Sequence, residues 1–278
     1  MASTAPVRFA ICLFSLFATL GTACGQQASA QHARVELLSQ QSAIAPGADL
    51  QLGIHFLLEP GWHIYWTNPG DSGQPPSFQW QLPSGFTAGE IQWPRPERMH
   101  PSKALTDYGY RGEVLLPITL HVSPSVAAGA PIKIDADAKW LICREVCIPE
   151  HVQLRLTMPR AATANENRQS VPLFARTRKL LPQSLPRNWK VNATSARDAF
   201  MLTVLAGTRI TKAEFFPLNP GEIDNSARQE LHSLPTGSRL TLKKSDLLLK
   251  PISVLRGVLV IPGRPAYRIE APVHQPIQ

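Results

Sequence analysis

From Val35 onward, apolar residues recur at every second position, the period of strands with one face buried. Leu50, Leu52, Ile54 and Phe56 share a face of one predicted strand, and Val114, Leu116, Ile118 and Leu120 share a face of another over Glu113–Val122. Pro117 offers the latter no amide donor, which marks it as an edge strand or the site of a bulge. Shorter strands are predicted at His63–Trp66, Phe78–Gln81 and Glu90–Trp93, and turn formers separate them, Glu59-Pro60-Gly61 and the run from Asn68 to Gly73. The longest alternation is Ile132, Ile134, Ala136, Ala138 and Trp140, answered by Val152, Leu154, Leu156 and Met158. Two such runs so close in sequence predict a hairpin.

The pattern breaks between Ala161 and Pro186, where a polar run precedes a short predicted helix, Pro172–Leu181, ended by Pro182. A second set of short strands follows: Phe200–Leu205, Lys212–Phe216, Arg239–Lys243, Gly257–Ile261 and Ala266–Glu270. The expected organisation is therefore 31–160 as one β domain, 161–186 as a linker and 187–278 as a second, smaller β-sandwich-like domain. Composition agrees with an all-β reading. The 26 prolines among 278 residues are about twice the usual ~5% share, and proline is excluded from helix interiors but tolerated at strand ends and turns.

Charge changes this picture little. Lys+Arg number 28 against 20 Asp+Glu, a formal charge of +8, but the basic residues are scattered and no aromatic-interleaved basic stripe accompanies them, so no nucleic-acid partner is expected. At the N-terminus, Arg8 precedes an apolar stretch from Phe9 to Leu20, and Ala28-Ser29-Ala30 has the small-x-small spacing of a signal peptidase site. Residues 1–30 are expected to be a signal peptide and Gln31 the mature N-terminus. Lipidation at Cys24 is the alternative and would anchor the chain to a membrane. No later stretch is long and apolar enough to predict a transmembrane segment in the mature chain.

With Cys12 and Cys24 assigned to that region, Cys143 and Cys147 remain as each other's partner in an oxidising compartment. They fall where the two long strands approach their turn, close enough for a cross-strand disulfide. A bridge closing so small a loop removes little chain entropy, whereas exchange chemistry needs one reachable sulfur and one resolving neighbour. A permanent structural bridge remains the competing reading. Arg144 would favour a thiolate and Glu145 would oppose it. Two thiolates could hold a soft ion such as Cu(I), but His55, His63, His100, His121 and His151 are spread over separate segments, so neither metal nor cofactor is expected. Without a Gly-x-Ser-x-Gly elbow, serine hydrolase chemistry has no support.

Several segments together resemble the N-terminal periplasmic domain of the thiol:disulfide interchange protein DsbD, in particular its ScsB-like branch. They are Gly61-Trp62-His63-Ile64-Tyr65-Trp66-Thr67-Asn68-Pro69-Gly70-Asp71-Ser72-Gly73, Trp93-Pro94, the run from Tyr108 to Val114, and Trp140-Leu141-Ile142-Cys143-Arg144-Glu145-Val146-Cys147-Ile148-Pro149. The resemblance implies an immunoglobulin-like sandwich over about residues 35–160. It also implies catalytic Cys143 and Cys147, which would take electrons from a membrane-embedded thiol reductase of the DsbD/ScsB transporter type and pass them to periplasmic thioredoxin-like or copper-stress proteins. By order along the chain, Pro96 to Tyr108 would be the loop that caps the cysteines in that family. Such relatives continue into a membrane domain and a thioredoxin domain that this sequence lacks, so a stand-alone periplasmic carrier is expected. The alternative class is a non-catalytic envelope binding module with a structural disulfide. Position along the hairpin suggests Cys147 as the attacking thiol and Cys143, which follows apolar Leu141-Ile142, as the shielded resolving one.

Overall fold

The computed structural model describes residues 24–26, 28–102, 104–126 and 129–275. In chain order its first strands are β1 (Cys24–Gln26), β2 (Ala28–Ala30), β3 (Ala33–Ser39), β4 (Leu50–Leu58), β5 (His63–Gly70) and β6 (Ser77–Gln81). They are followed by β7 (Phe86–Ile91), β8 (Glu97–Met99), β9 (Asp107–Arg111), β10 (Glu113–Val122), β11 (Ile132–Cys143) and β12 (Cys147–Met158). One sheet has the order β1-β12-β11-β5-β9-β8 with β6 also paired to β11, and the other has the order β2-β3-β4-β10-β7. The two face each other as an immunoglobulin-like sandwich.

The alternation read in the sequence supplies the inner faces. Ile134, Ala138, Trp140, Ile142, Leu154 and Leu156 of one sheet and Val35, Leu37, Ile54, Phe56, Leu116 and Ile118 of the other are buried in a shared cluster, where each large side chain contributes roughly 1.5–3 kcal/mol by leaving water. Phe56 and Trp140 meet edge to face across the sandwich at 5.3 Å. β11 and β12 pair without a slip from Ile132 opposite Met158 to Cys143 opposite Cys147. Pro117 sits in the interior strand β10, opposite Gly53 of β4. On the other side, the pairing with β7 shifts register between Ile118 and Leu120, so the proline marks a bulge and not an edge.

The helix α1 spans Val171–Arg178, with Pro172 in its first turn, where a missing amide is harmless. It stops short of the expected Leu181, because the last turn tightens to bonds three residues back, Lys179 N to Arg176 O at 3.2 Å and Leu180 N to Thr177 O at 2.8 Å. The 161–186 segment is fastened along its length. Ser42 N donates to Asn165 O at 2.8 Å and Arg95 N to Leu180 O at 2.8 Å. Ser170 Oγ donates to Ser39 O, Arg176 pairs with Glu113 at 3.0 Å, and Gln183 N reaches Ala266 O at 2.8 Å.

The remaining strands are β13 (Lys190–Ser195), β14 (Ala199–Leu205), β15 (Glu214–Pro217), β16 (Glu230–Leu234), β17 (Gly237–Lys243), β18 (Val254–Val260) and β19 (Tyr267–His274). They form a second β unit, a seven-stranded sheet in the order β15-β18-β19-β13-β14-β17-β16. It buries its own cluster around Phe200, Leu202, Val204, Leu240, Leu242 and Leu259. Phe216, Val258 and Ala266, however, belong to the cluster of the first sandwich. Phe216 packs edge-on against Tyr108 at 5.3 Å and Trp66 at 6.4 Å.

The apolar stretch Phe9–Leu20 and Cys12 lie outside the described residues. Cys24–Gln26 pairs with β12 and Ala28–Ala30 with β3, so cleavage after Ala30 would strip an outer strand from each sheet of the sandwich. Among the described residues, no helix is long and apolar enough to cross a membrane.

Candidate active site

At the tip of the β11–β12 hairpin, Cys143 and Cys147 form a disulfide with their Cα atoms 4.1 Å apart. Strand alternation sets their surroundings. Ile142 points into the core, so its neighbour Cys143 lies on the outer face of the sheet, where β5 places His63 directly opposite it. Tyr65, two residues further along β5, shares that face. Its hydroxyl donates to Cys143 Sγ at 3.1 Å and lies 3.6 Å from Cys147 Sγ.

The two cysteines differ in exposure. Cys143 is 3% exposed, whereas Cys147 is exposed, as are Arg144, Glu145 and Val146 beside it. Val146 is an isolated apolar side chain, 64% exposed, next to the reachable sulfur. Arg144 lays its guanidinium over the Trp62 ring at 5.1 Å, and His32 stacks on Trp62 at 3.9 Å. The tip therefore combines an exposed cysteine with an exposed cationic and aliphatic rim, backed by the buried Trp62 ring.

Tyr65 is held from above by the turn that follows β5. At Gly73, with φ +76°, an added Cβ would fall 2.0 Å from Tyr65 Cζ, so only glycine lets the backbone lie on the ring. Ser72 donates its hydroxyl to the Asp107 carboxylate at 2.8 Å, and its amide also donates to that group at 3.1 Å. Burial, more than the nearby Asp107 charge, holds the Tyr65 hydroxyl above its ordinary pKa, so it remains protonated and able to donate. Burial likewise raises Asp107. His63, 5.3 Å from the Tyr65 ring, has its pKa lowered to about 4 by burial and by the Arg111 charge. It is neutral at ordinary pH, and its Nε2 has no hydrogen-bond partner among the described residues.

Residues 34–159 match the family described as thiol:disulfide interchange protein DsbD, N-terminal. Residues 34–159 are a DsbD N-terminal-like domain. Among solved structures, the N-terminal periplasmic domain of ScsB from Proteus mirabilis aligns with TM-score 0.69 and 17% identity, covering 90% of this chain and 98% of its own. That coverage cannot be reached within 34–159 alone, so the likeness in fold extends into the second β unit. The periplasmic chaperone SfaE also aligns, over 86% of this chain and 100% of its own, with TM-score 0.23 and 9% identity. No curated protein matches the chain in sequence.

Within the DsbD N-terminal-like domain, the quoted motifs acquire physical roles. The Gly61–Gly73 motif forms β5 and the turn over Tyr65, and the run from Tyr108 forms β9, whose Gly109 pairs with Tyr65. The Pro96 to Tyr108 segment, expected as the cap, makes polar contacts with Asp71 and Ser72 and with the second β unit, through Arg98 to Glu214 and Tyr108 to Asn225. Among the described residues, the side chain that hydrogen-bonds to the sulfurs is that of Tyr65. Sequence reasoning had no means to assign that role, because the pairing of β5 with β11 spans some eighty residues. The available signal was the unusual density of aromatic and turn-forming residues in one short motif. Of the other histidines, His55 pairs with Glu36 and Glu113, His121 with Asp49 and His151 with Asp137. Among the described residues, no three His, Cys, Asp or Glu side chains are grouped to hold a metal ion.

Proposed function

We propose that this protein is a periplasmic thiol-disulfide exchange module. It would carry electrons from a membrane-embedded thiol reductase of the DsbD/ScsB type to thioredoxin-like or copper-stress proteins through Cys143 and Cys147. The observation that carries the reading is the asymmetry of the pair: an exposed Cys147 bonded to a buried Cys143 whose sulfur accepts a hydrogen bond from a buried, protonated Tyr65.

The chemistry follows from that asymmetry. A thiolate of the reductase attacks Cys147 Sγ, a mixed disulfide forms, and the Cys143–Cys147 bond breaks with its electron pair on Cys143. The Tyr65 hydroxyl stabilises the departing thiolate through a charge-assisted hydrogen bond. The second thiol of the reductase then attacks the mixed disulfide and leaves oxidised, having delivered two electrons. In the forward half, the Cys147 thiolate attacks a downstream disulfide and Cys143 resolves the complex, restoring the bridge. Neutral His63 contributes no positive charge at ordinary pH, so the hydroxyl supplies the polar stabilisation at this face.

Mixed-disulfide trapping tests the proposal. Cys143→Ser keeps the attacking thiol and removes the resolving one, so it should accumulate more mixed disulfide with a thioredoxin-like protein than Cys147→Ser. Equal or reversed trapping would remove the assignment of roles. No trapping with either variant, together with a reduction potential below about −300 mV, would establish a permanent structural bridge instead.

A further inference from the structure

We infer that the second β unit is part of the redox site's machinery: Asn225 and Ser226 are positioning residues that fix the turn over Tyr65 and thereby hold its hydroxyl at the sulfurs. The inference rests on the exchange reading and adds to it a role for a unit whose described residues make no hydrogen bond to the sulfurs.

Asp71 is the joint. From the second unit, Asn225 Nδ2 donates to Asp71 Oδ1 at 2.8 Å and Ser226 Oγ lies 2.9 Å from Asp71 Oδ2. From the first, Thr106 N donates to Asp71 Oδ2 at 2.8 Å. The next residue, Ser72, holds Asp107, and the one after, Gly73, lies on the Tyr65 ring. Only two peptide bonds separate the carboxylate gripped by the second unit from the backbone that packs on the tyrosine. Such a link is too short to absorb displacement at Asp71.

Asn225 is itself fixed. It is 6% exposed, its Oδ1 accepts from the Tyr108 hydroxyl at 3.0 Å, and its carbonyl accepts from Arg98 Nη1 at 2.6 Å. Arg98 is in turn paired with Glu214 and lies over the Tyr108 and Phe216 rings at 5.3 and 5.8 Å. Asn68, at the head of the turn, donates to Pro217 O at 2.8 Å. The turn is thus held at two points by the second unit, and its Gly73 lies against Tyr65.

The test uses the full chain and dithiothreitol as the reductant, so no protein partner is needed. The Asn225→Ala/Ser226→Ala variant should be reduced about fivefold more slowly, the rate equivalent of about 1 kcal/mol. Its equilibrium against dithiothreitol should move toward the disulfide by a similar factor. Ser226→Thr, which keeps the hydroxyl, should stay near the parent when made alone. In a Tyr65→Phe background the double substitution should have no further effect, because the group it positions is gone. Should the double variant fail to fold, Asp71→Asn provides the same reading, since its amide must set a donor against a donor. An unchanged rate, a faster one, or a full additive effect in the Tyr65→Phe background would overturn the inference. Failure to trap a thioredoxin-like protein would count against the exchange reading and leave this measurement standing.

Discussion

The Tyr65 hydroxyl donates to Cys143 Sγ at 3.1 Å and lies 3.6 Å from Cys147 Sγ, so one buried phenol spans the bond that exchange must break. Hydrogen bonds to charged groups are worth about 1.5–3 kcal/mol net, and the charge on Cys143 develops only as the bond breaks. Tyr65→Phe, which keeps the ring, should therefore slow reduction by dithiothreitol about tenfold, ~1.4 kcal/mol of barrier. It should also shift the equilibrium toward the disulfide. Stopped-flow reduction followed by tryptophan fluorescence would measure the rate.

The unequal exposure of the two cysteines sets which thiol is alkylated first. After reduction, a brief pulse of iodoacetamide should label Cys147 well ahead of buried Cys143, because reaction requires an accessible thiolate. Peptide mapping by mass spectrometry reads the ratio. Equal labelling would contradict the assignment of Cys147 as the attacking group.

His63 makes the fold sensitive to mild acid. Its pKa is lowered from 6.5 to about 4 in the folded chain, so between those values the unfolded chain binds more protons than the folded one. Stability should fall as pH drops through that window and be fully present above it. Urea midpoints at pH 7, 5.5 and 4.5 should show the decline, and His63→Phe should flatten that part of the profile.

Gly73 tolerates no side chain. An alanine there would need φ near +76° and would place its Cβ 2.0 Å from Tyr65 Cζ. Left-handed strain and overpacking together should cost about 2–4 kcal/mol, seen as a lower urea midpoint. The rate of reduction should change as well, because the ring has to move.

Phe216 joins the two β units through Tyr108 and Trp66. Phe216→Ala should cost about 3–5 kcal/mol, the usual range for a buried phenylalanine. We propose 31–160 and 187–278 as the two domains, and on that division this variant should separate one cooperative unfolding transition into two. Calorimetry of the parent and the variant would show it.

The sequence by itself determined the long strands, their inward faces and the partnership of Cys143 with Cys147. Alternation at period two decides which side chains leave water, and Ile132–Met158 carries enough of it to fix a twelve-pair hairpin register that brings Cys143 opposite Cys147. These are local relations, set by spacing along one or two neighbouring segments. Pro117 shows where local reasoning stops: its missing donor required an edge or a bulge, and only the partners on both sides of β10 decided for the bulge. Tyr65 and His63 could be seen as part of a dense motif, but their position beside the sulfurs depends on β5 pairing with β11 far along the chain. The 161–186 segment reads as polar and proline-bounded, yet its amides and carbonyls find partners on both β units. Likewise Phe216, Asn225 and Ser226 carry no sequence signal of their contact with the first sandwich, because such contacts arise only when two separately patterned surfaces close on each other and bury what neither could bury alone.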